Sequence, residues 1–208
     1  LVIRDVAMPR PMPSEAVVRV TAISLNRGET RRSMQAEDGW RPGWDLAGVV
    51  EQVAADGSGP QIGRRVVGFL HAGAWAQYAA VPNHALAPLP DAVTFAQAAT
   101  LPVAGLTALY ALAKRGQLLH RRVLITGATG GVGDFAIQLA RLAGAHVIAS
   151  VRRADQVAGV RQAGADEVVI GDDVAAFAPC APYDLVVESL GGKTLAAALE
   201  TLAKDGVC

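Results

Sequence analysis

The chain has 208 residues, 51% of them apolar, and its 19 basic and 19 acidic side chains cancel to a net charge of zero. A chain of this length holds one or two cores. Its balanced charge creates no global field to recruit nucleic acid or an anionic membrane surface, and Arg31-Arg32 is a short local exception that reads as a solvated face.

No run of about 18 apolar residues appears, so no membrane-spanning helix is expected. No signal peptide is recognisable. Cys180 and Cys208 form no metal-binding or redox spacing. The expected compartment is therefore the reducing cytoplasm. The chain opens at Leu1-Val2-Ile3 and closes at Gly206-Val207-Cys208, which reads as the start of another strand. Truncation is expected at both ends.

As far as about Asp91 the pattern is one of short valine-rich strands separated by Gly, Pro and Asp: Val17 to Ile23, Ala47 to Val53, Val66 to Leu70 and Trp75 to Val81. From Thr94 the pattern changes. Phe95 to Leu101 and Gly105 to Lys114 read as helices, broken at Pro102. An alternating region follows, with strands at Val123 to Thr126, His146 to Ser150, Glu167 to Ile170 and Leu185 to Glu188. Helices at Asp134 to Ala143, Asp155 to Gln162 and Asp173 to Phe177 lie between them, and a further helix spans Thr194 to Ala203. Such alternation predicts a parallel, doubly wound sheet.

The joint between the first of these strands and its helix carries the most information. Gly127 to Gly133 reads GATGGVG. In the G-x-G-x-x-G pattern the three glycine positions fall on Ala128, Gly130 and Gly133, so the first is replaced by alanine. Thr129, Gly131 and Val132 complete the turn. A helix N-terminus offers free N–H groups and the positive end of the dipole, and glycines let the backbone approach a diphosphate closely. Set between a strand and a helix, the turn points to dinucleotide binding; the alternative is a tight turn with no ligand. Asp134 would repel a phosphate if it faced inward, so it is expected to face out.

The end of the second strand indicates which dinucleotide. NAD-binding units carry an Asp or Glu there, roughly 20 residues past the glycines, for the ribose 2′-OH. Here the segment reads Ser150-Val151-Arg152-Arg153, with no carboxylate before Asp155. A hydroxyl and two guanidiniums would hold a 2′-phosphate that a carboxylate would repel. NADP(H) is therefore the expected cofactor, unless Arg152 and Arg153 are ordinary surface charges.

Several further stretches occur in order: AISLN at 22–26, PGWDLAGVV at 42–50, GAWAQY at 73–78, LPVAGLTA at 101–108, TGATGGVG at 126–133 and ESLGG at 188–192. Together they make the chain resemble the medium-chain dehydrogenase/reductase superfamily, most closely its zinc-independent, NADPH-dependent quinone oxidoreductase-like branch. The match runs over nearly all of the chain. The resemblance implies a mostly-β GroES-like substrate domain over residues 1–93, lacking its N-terminal strand. A Rossmann NADP(H)-binding domain over 94–208, lacking its last strands, would follow, with the active site in the cleft between. A six-stranded Rossmann sheet of order 3-2-1-4-5-6 is the reference; four strands and the start of a fifth can be counted, which would leave the strand at Leu185 as an exposed apolar edge.

Zinc-dependent relatives carry a cysteine in the segment matching Leu25 to Gly28, a Gly-His-Glu, and four clustered structural cysteines. Here the first place holds Asn26 or a neighbour, the second reads Gly43-Trp44-Asp45, and the cysteine cluster is absent. The four histidines are scattered, with His71 and His84 reading as loop residues, so no metal is expected. The resemblance puts Asn26 near the nicotinamide as an orienting donor, although Asn also suits a turn at a strand end. It puts Thr107 and the Ser189, Leu190 and Gly191 backbone along the cofactor. Trp44 either borders the pocket or packs, and Tyr78 either donates a proton or faces a core.

The function implied is hydride transfer from NADPH to a small quinone or to the β-carbon of an α,β-unsaturated carbonyl, with solvent able to supply the proton. The alternatives are an enoyl-thioester reductase, with Arg27, Arg31 and Arg32 in a groove for a coenzyme or carrier phosphate, and an NADPH-binding protein without turnover. The resemblance implies a homodimer for full-length family members, which often pair through the far edge of the nucleotide sheet; that edge is not expected in this chain, nor therefore the dimer. Neither nucleic acid nor a membrane is an expected partner.

Overall fold

Strict alternation of side chains across a pleated strand builds the first half of the molecule. In the computed structural model, which describes all of residues 1–208, contacts divide the chain into two units, Leu1–Val103 and Ala104–Cys208. The first holds the strands β1 (Glu15–Ile23), β2 (Asp45–Gln52), β3 (Arg65–Phe69), β4 (Tyr78–Pro82) and β5 (Leu86–Pro88), with helices α1 (Arg27–Ser33) and α2 (Phe95–Ala99). The strands form one antiparallel sheet of order β4-β1-β2-β3-β5. The first residues of β2 are buried on both faces. Leu46 joins Val18, Val50 and Val66 in one cluster, while its neighbour Ala47 joins Leu89, Ala98 and Ala99 in another, under α2. Because α2 packs on this sheet, the chain divides after Val103 and not where the composition changes near residue 93.

The start of α2 is fastened by a capping box. The Gln97 amide donates to Thr94 Oγ1 (3.2 Å), and the Thr94 amide donates back to Gln97 Oε1 (3.0 Å). The expected break at Pro102 takes the form of a π turn over Leu101–Gly105. Proline has no N–H to continue the α ladder, and a wider turn carries the chain past it.

The second unit contains α3 (Leu106–Ala113), β6 (Arg122–Ile125), α4 (Gly131–Leu142), β7 (His146–Val151), α5 (Val157–Ala163), β8 (Glu167–Ile170), α6 (Val174–Phe177), β9 (Tyr183–Val187), α7 (Gly192–Glu200) and β10 (Leu202–Val207). Its strands are all parallel in the order β10-β9-β6-β7-β8, which is the 5-4-1-2-3 of a Rossmann sheet. Neighbouring residues of β6 serve opposite faces. Val123 and Ile125 pack with Val147, Ala149, Leu185 and Val187 under Ala136, Ile137 and Ala140 of α4. Leu124 packs with Ile148 and Val186 against Phe177, Ala197 and Ala198. Leu124 and Ile148 are fully buried, and each contributes about 1.5–3 kcal/mol by leaving water.

Several elements differ from expectation. The helices and strands at α1 and β5 were not foreseen. α4 begins at Gly131, three residues before Asp134, so the last glycines of the turn lie inside its first turn. α7 stops at Glu200, and the chain from Leu202 pairs beside β9, with a register break before Val207 and Asp205 in the left-handed region. β9 is therefore an inner strand, and the edge expected at Leu185 is covered by β10.

Tyr183 ties the lower face of this sheet together. It is fully buried, its hydroxyl donates to the Phe177 carbonyl at 2.7 Å, and burial pushes its phenol well above the ordinary range. Replacing Tyr183 by Phe removes that buried hydrogen bond, with an expected loss of about 0.5–1.5 kcal/mol in a urea titration; an unchanged midpoint would show that the hydroxyl carries no stability.

Candidate functional site

The turn between β6 and α4 is organised by hydrogen bonds that leave its helix end open. The Gly130 amide donates to the Gly127 carbonyl (2.9 Å), and the first helical bond runs from the Asp134 amide to the Gly130 carbonyl (2.9 Å). The amides of Gly131, Val132 and Gly133 therefore have no acceptor within the helix. Gly127 sits at φ 56°, and a Cβ there would lie 2.7 Å from Ser189 Oγ. A Cβ on Gly133 would run into the Gly127 carbonyl and come within 2.7 Å of Ala128 Cα. Ala128, at the position where the motif has its first glycine, is 1% exposed and turns its methyl into the core beneath α4. The alanine thus leaves the outer face of the turn clear. Thr129, Gly130 and Gly131 are exposed, and Asp134 points outward and accepts from Gln138 Nε2 at 2.8 Å.

The loop after β9 lies against this turn. Thr126, buried at the end of β6, receives the Ser189 amide (3.2 Å) and donates to Glu188 Oε1 (3.2 Å). The Glu188 carboxylate in turn accepts the Leu190 amide (2.7 Å) and the Gly191 amide (3.0 Å). The Ser189–Gly191 amides are thus committed within the protein, and what the loop exposes is the Ser189 and Leu190 side chains. Thr126 and Glu188 do the fastening, and the sequence reading did not single out either role. Thr107 is exposed in the first turn of α3, a helix that packs on α4.

Past β7 the residues expected at a 2′-phosphate separate. Ser150 is 5% exposed and its hydroxyl donates to the Gly171 carbonyl at 2.7 Å. It joins the ends of β7 and β8 and has no free hydrogen for a ligand. Arg153 pairs with Asp155 (3.0 Å), which holds that carboxyl below its usual range and the guanidinium above its own. Arg152 is exposed and pairs with no acid. Its backbone amide and that of Arg153 are held by Gln156 Oε1 (3.1 and 3.2 Å).

In the first unit, Asn26 is the N-cap of α1 and the centre of a polar cluster. Glu29 and Asp45 are both completely buried. Asn26 Nδ2 lies 2.8 Å from Glu29 Oε1, 2.6 Å from Asp45 Oδ2 and 3.2 Å from Ser24 Oγ. The Ser24 hydroxyl donates to Asp45. A primary amide has two hydrogens, and the two carboxylates, which only accept, take both. Asn26 therefore retains no N–H for a ligand, which replaces the orienting-donor role with that of a bridge between two acids. Trp44 packs its ring on Gly28, where a Cβ would lie 2.7 Å from Trp44 Cη2. Tyr78 is half-buried at the start of β4.

Comparison with known proteins agrees with this architecture. Residues 12–91 match the family described as "Alcohol dehydrogenase GroES-like domain", and residues 131–208 the family described as "Zinc-binding dehydrogenase". A chloroplastic quinone-oxidoreductase homologue from Spinacia oleracea is 34% identical over 210 residues, covering 90% of this chain and 63% of that protein. A mycobacterial protein solved complexed with NADPH superimposes with a TM-score of 0.86 at 30% identity, covering 98% of this chain and 67% of that one. The chain belongs to the medium-chain dehydrogenase/reductase superfamily, in its quinone-oxidoreductase-like branch. A spectinabilin polyketide synthase system protein from Streptomyces orinoci is also similar, at 37% identity over 201 residues, covering 93% of this chain and 9% of that protein. This chain thus spans less than two thirds of the spinach relative's length.

The superfamily includes zinc enzymes, and here the polar groups around Asn26 are bonded to one another. By the resemblance, Asn26 or a neighbour and Trp44 take the places of ligands in those enzymes. Asp45 is already engaged by Ser24, Asn26 and the Val103 amide (2.9 Å). No group of three His, Cys, Asp or Glu side chains is arranged to hold a metal ion. His71 packs edge-on to Phe69, and His146 sits 2.6 Å from Glu167 Oε1. No helix is long and apolar enough to cross a membrane.

The close approach at Gly133 makes a direct prediction. A methyl there meets backbone, which cannot step aside, so Gly133→Ala should destabilise the chain by about 1–3 kcal/mol in chemical denaturation. Wild-type stability in this variant would show that the turn tolerates a side chain.

Proposed function

We propose that this chain belongs to an NADPH-dependent reductase of quinones or α,β-unsaturated carbonyls that works without a metal. The observation that carries the reading is the set of three amides, from Gly131, Val132 and Gly133, left without acceptors at the start of a twelve-residue helix. Such a terminus combines free donors with a partial positive charge and suits a diphosphate. In this reading the exposed Thr129 and Gly130 and the Ala128 backbone complete the cradle. Leu190, with Ser189 and Gly191, and Thr107 form its walls. NADPH, when bound, supplies the hydride; the chain's residues bind, orient and exclude water.

Arg152 is the residue assigned to the 2′-phosphate, since it is exposed and unpaired, whereas Arg153 is shared with Asp155. Ser150 contributes backbone shape only. A guanidinium–phosphate contact is a strong charge-assisted bond. Arg152→Ala should therefore raise the NADPH dissociation constant about tenfold, a change of roughly 1.4 kcal/mol, and leave that for NADH unaltered. Arg153→Ala should have the smaller effect. Fluorescence titration of the reduced nicotinamide measures both, and equal affinities for NADPH and NADH in the wild-type chain would reject the 2′-phosphate assignment.

The polyketide synthase relative favours a second reading, reduction of an enoyl thioester, with the exposed Arg27, Arg31 and Arg32 toward the carrier phosphate. NADPH oxidation with 9,10-phenanthrenequinone set against a crotonyl thioester separates the two. Turnover of the quinone alone supports the first reading and turnover of the thioester alone the second. Tight NADPH binding with neither acceptor reduced would reject both.

A further inference from the structure

The paired residues of β6 and β9 end at Ile125 and Val187, where the glycine turn carries the chain away. The Thr126 amide still reaches the Val187 carbonyl (3.0 Å). The next bond is made by a side chain, because the Ser189 amide donates to Thr126 Oγ1 (3.2 Å). A hydroxyl has one hydrogen to give as well as lone pairs to receive. That hydrogen lies nearer Glu188 Oε1 (3.2 Å) than the Val187 carbonyl (3.4 Å).

Thr126 is 1% exposed, so water does not compete for these bonds, and leaving any of the groups unpaired carries a desolvation cost. Glu188 spends the rest of its carboxylate within its own loop, on the Leu190 and Gly191 amides. The side-chain bonds that cross from β6 to this loop are therefore those of the Thr126 hydroxyl. Gly127 comes next in the chain, and a Cβ on it would lie 2.7 Å from Ser189 Oγ and 3.4 Å from Leu190 Cδ2. The loop is thus fastened one residue before the place where its side chains stand over the turn.

We propose that Thr126 is a positioning residue for the dinucleotide. Its hydroxyl holds the Glu188–Gly191 loop down on the glycine turn, so that Ser189 and Leu190 form a fixed wall beside the α4 amides. This rests on the cofactor reading above. The wall is separate from the group assigned to the 2′-phosphate, so its loss should weaken NADPH and NADH equally, whereas Arg152→Ala tells them apart.

The test compares Thr126→Val with Thr126→Ser. Valine keeps the shape and leaves the Ser189 amide without its acceptor; serine keeps the hydroxyl and gives up a buried methyl. Stability alone would not sort the two, since each loses something the core uses. Thr126→Val should raise the dissociation constants of NADPH and NADH about tenfold each, and Thr126→Ser should bind both within about threefold of wild type. Wild-type affinity in Thr126→Val would overturn the proposal, as would a serine variant as weak as the valine one, or a loss confined to NADPH. If the valine variant does not fold, Glu188→Ala removes the tie from the loop's side at a half-buried residue. It should weaken both cofactors alike, and unchanged affinity there would refute the role.

If the wild-type chain binds neither dinucleotide, the cofactor reading fails by itself. The fastening is then read from amide hydrogen exchange without ligand. The Ser189, Leu190 and Gly191 amides should exchange at least about tenfold faster in Thr126→Val than in wild type; equal rates would show that the hydroxyl fastens nothing.

Discussion

The structure depends on how closely the start of α4 can approach the end of β6. Gly133 packs directly on the Gly127 carbonyl and on Ala128, so helix and strand meet with no side chain between them. That contact has two consequences. It lets Ala136, Ile137 and Ala140 settle on the sheet and close the larger core. It also keeps the start of the helix clear of side chains, where the first three amides have no acceptor within the helix. Stability and binding capacity thus share one origin. An anion at that corner would satisfy donors that the helix itself cannot, and the dipole would favour it.

The rest of the corner is arranged so that nothing of the protein's own satisfies those amides first. Glu188, the nearest acid in the loop after β9, is spent on the Leu190 and Gly191 amides and on Thr126. Asp134 turns outward to Gln138. Ala128 buries its methyl, so the missing glycine of the motif takes nothing from the exposed face. The first unit works differently. There two acids are kept inside the protein and compensated by amides and a hydroxyl, which makes the polar cluster at Asn26 a structural junction.

Much of the second unit was legible because its strands are continuous apolar runs and α4 has an amphipathic period, signals that survive without tertiary context. The failures have physical reasons. α1 reads Arg-Gly-Glu-Thr-Arg-Arg-Ser, with no apolar stripe to announce it. It is held by its cap, and the spacing of Asn26 and Glu29, three residues apart, was the one available clue. β10 contains Lys204 and Asp205 and is recognisable only by pairing with β9. Ser150 and Asn26 carry the polar atoms their sites called for, but a sequence does not say which way a hydroxyl points or how many acceptors surround an amide. Glu29 and Asp45 look like any surface acids until burial is known.

The measurement that bears most directly on the central claim is a ¹⁵N chemical-shift titration of the chain with NADPH. If the diphosphate docks on the open end of α4, the amides of Gly131, Val132 and Gly133 should move furthest, with Arg152 following, and all should saturate at one dissociation constant. Shifts confined to other parts of the chain, with these three amides unmoved at saturating NADPH, would contradict the account.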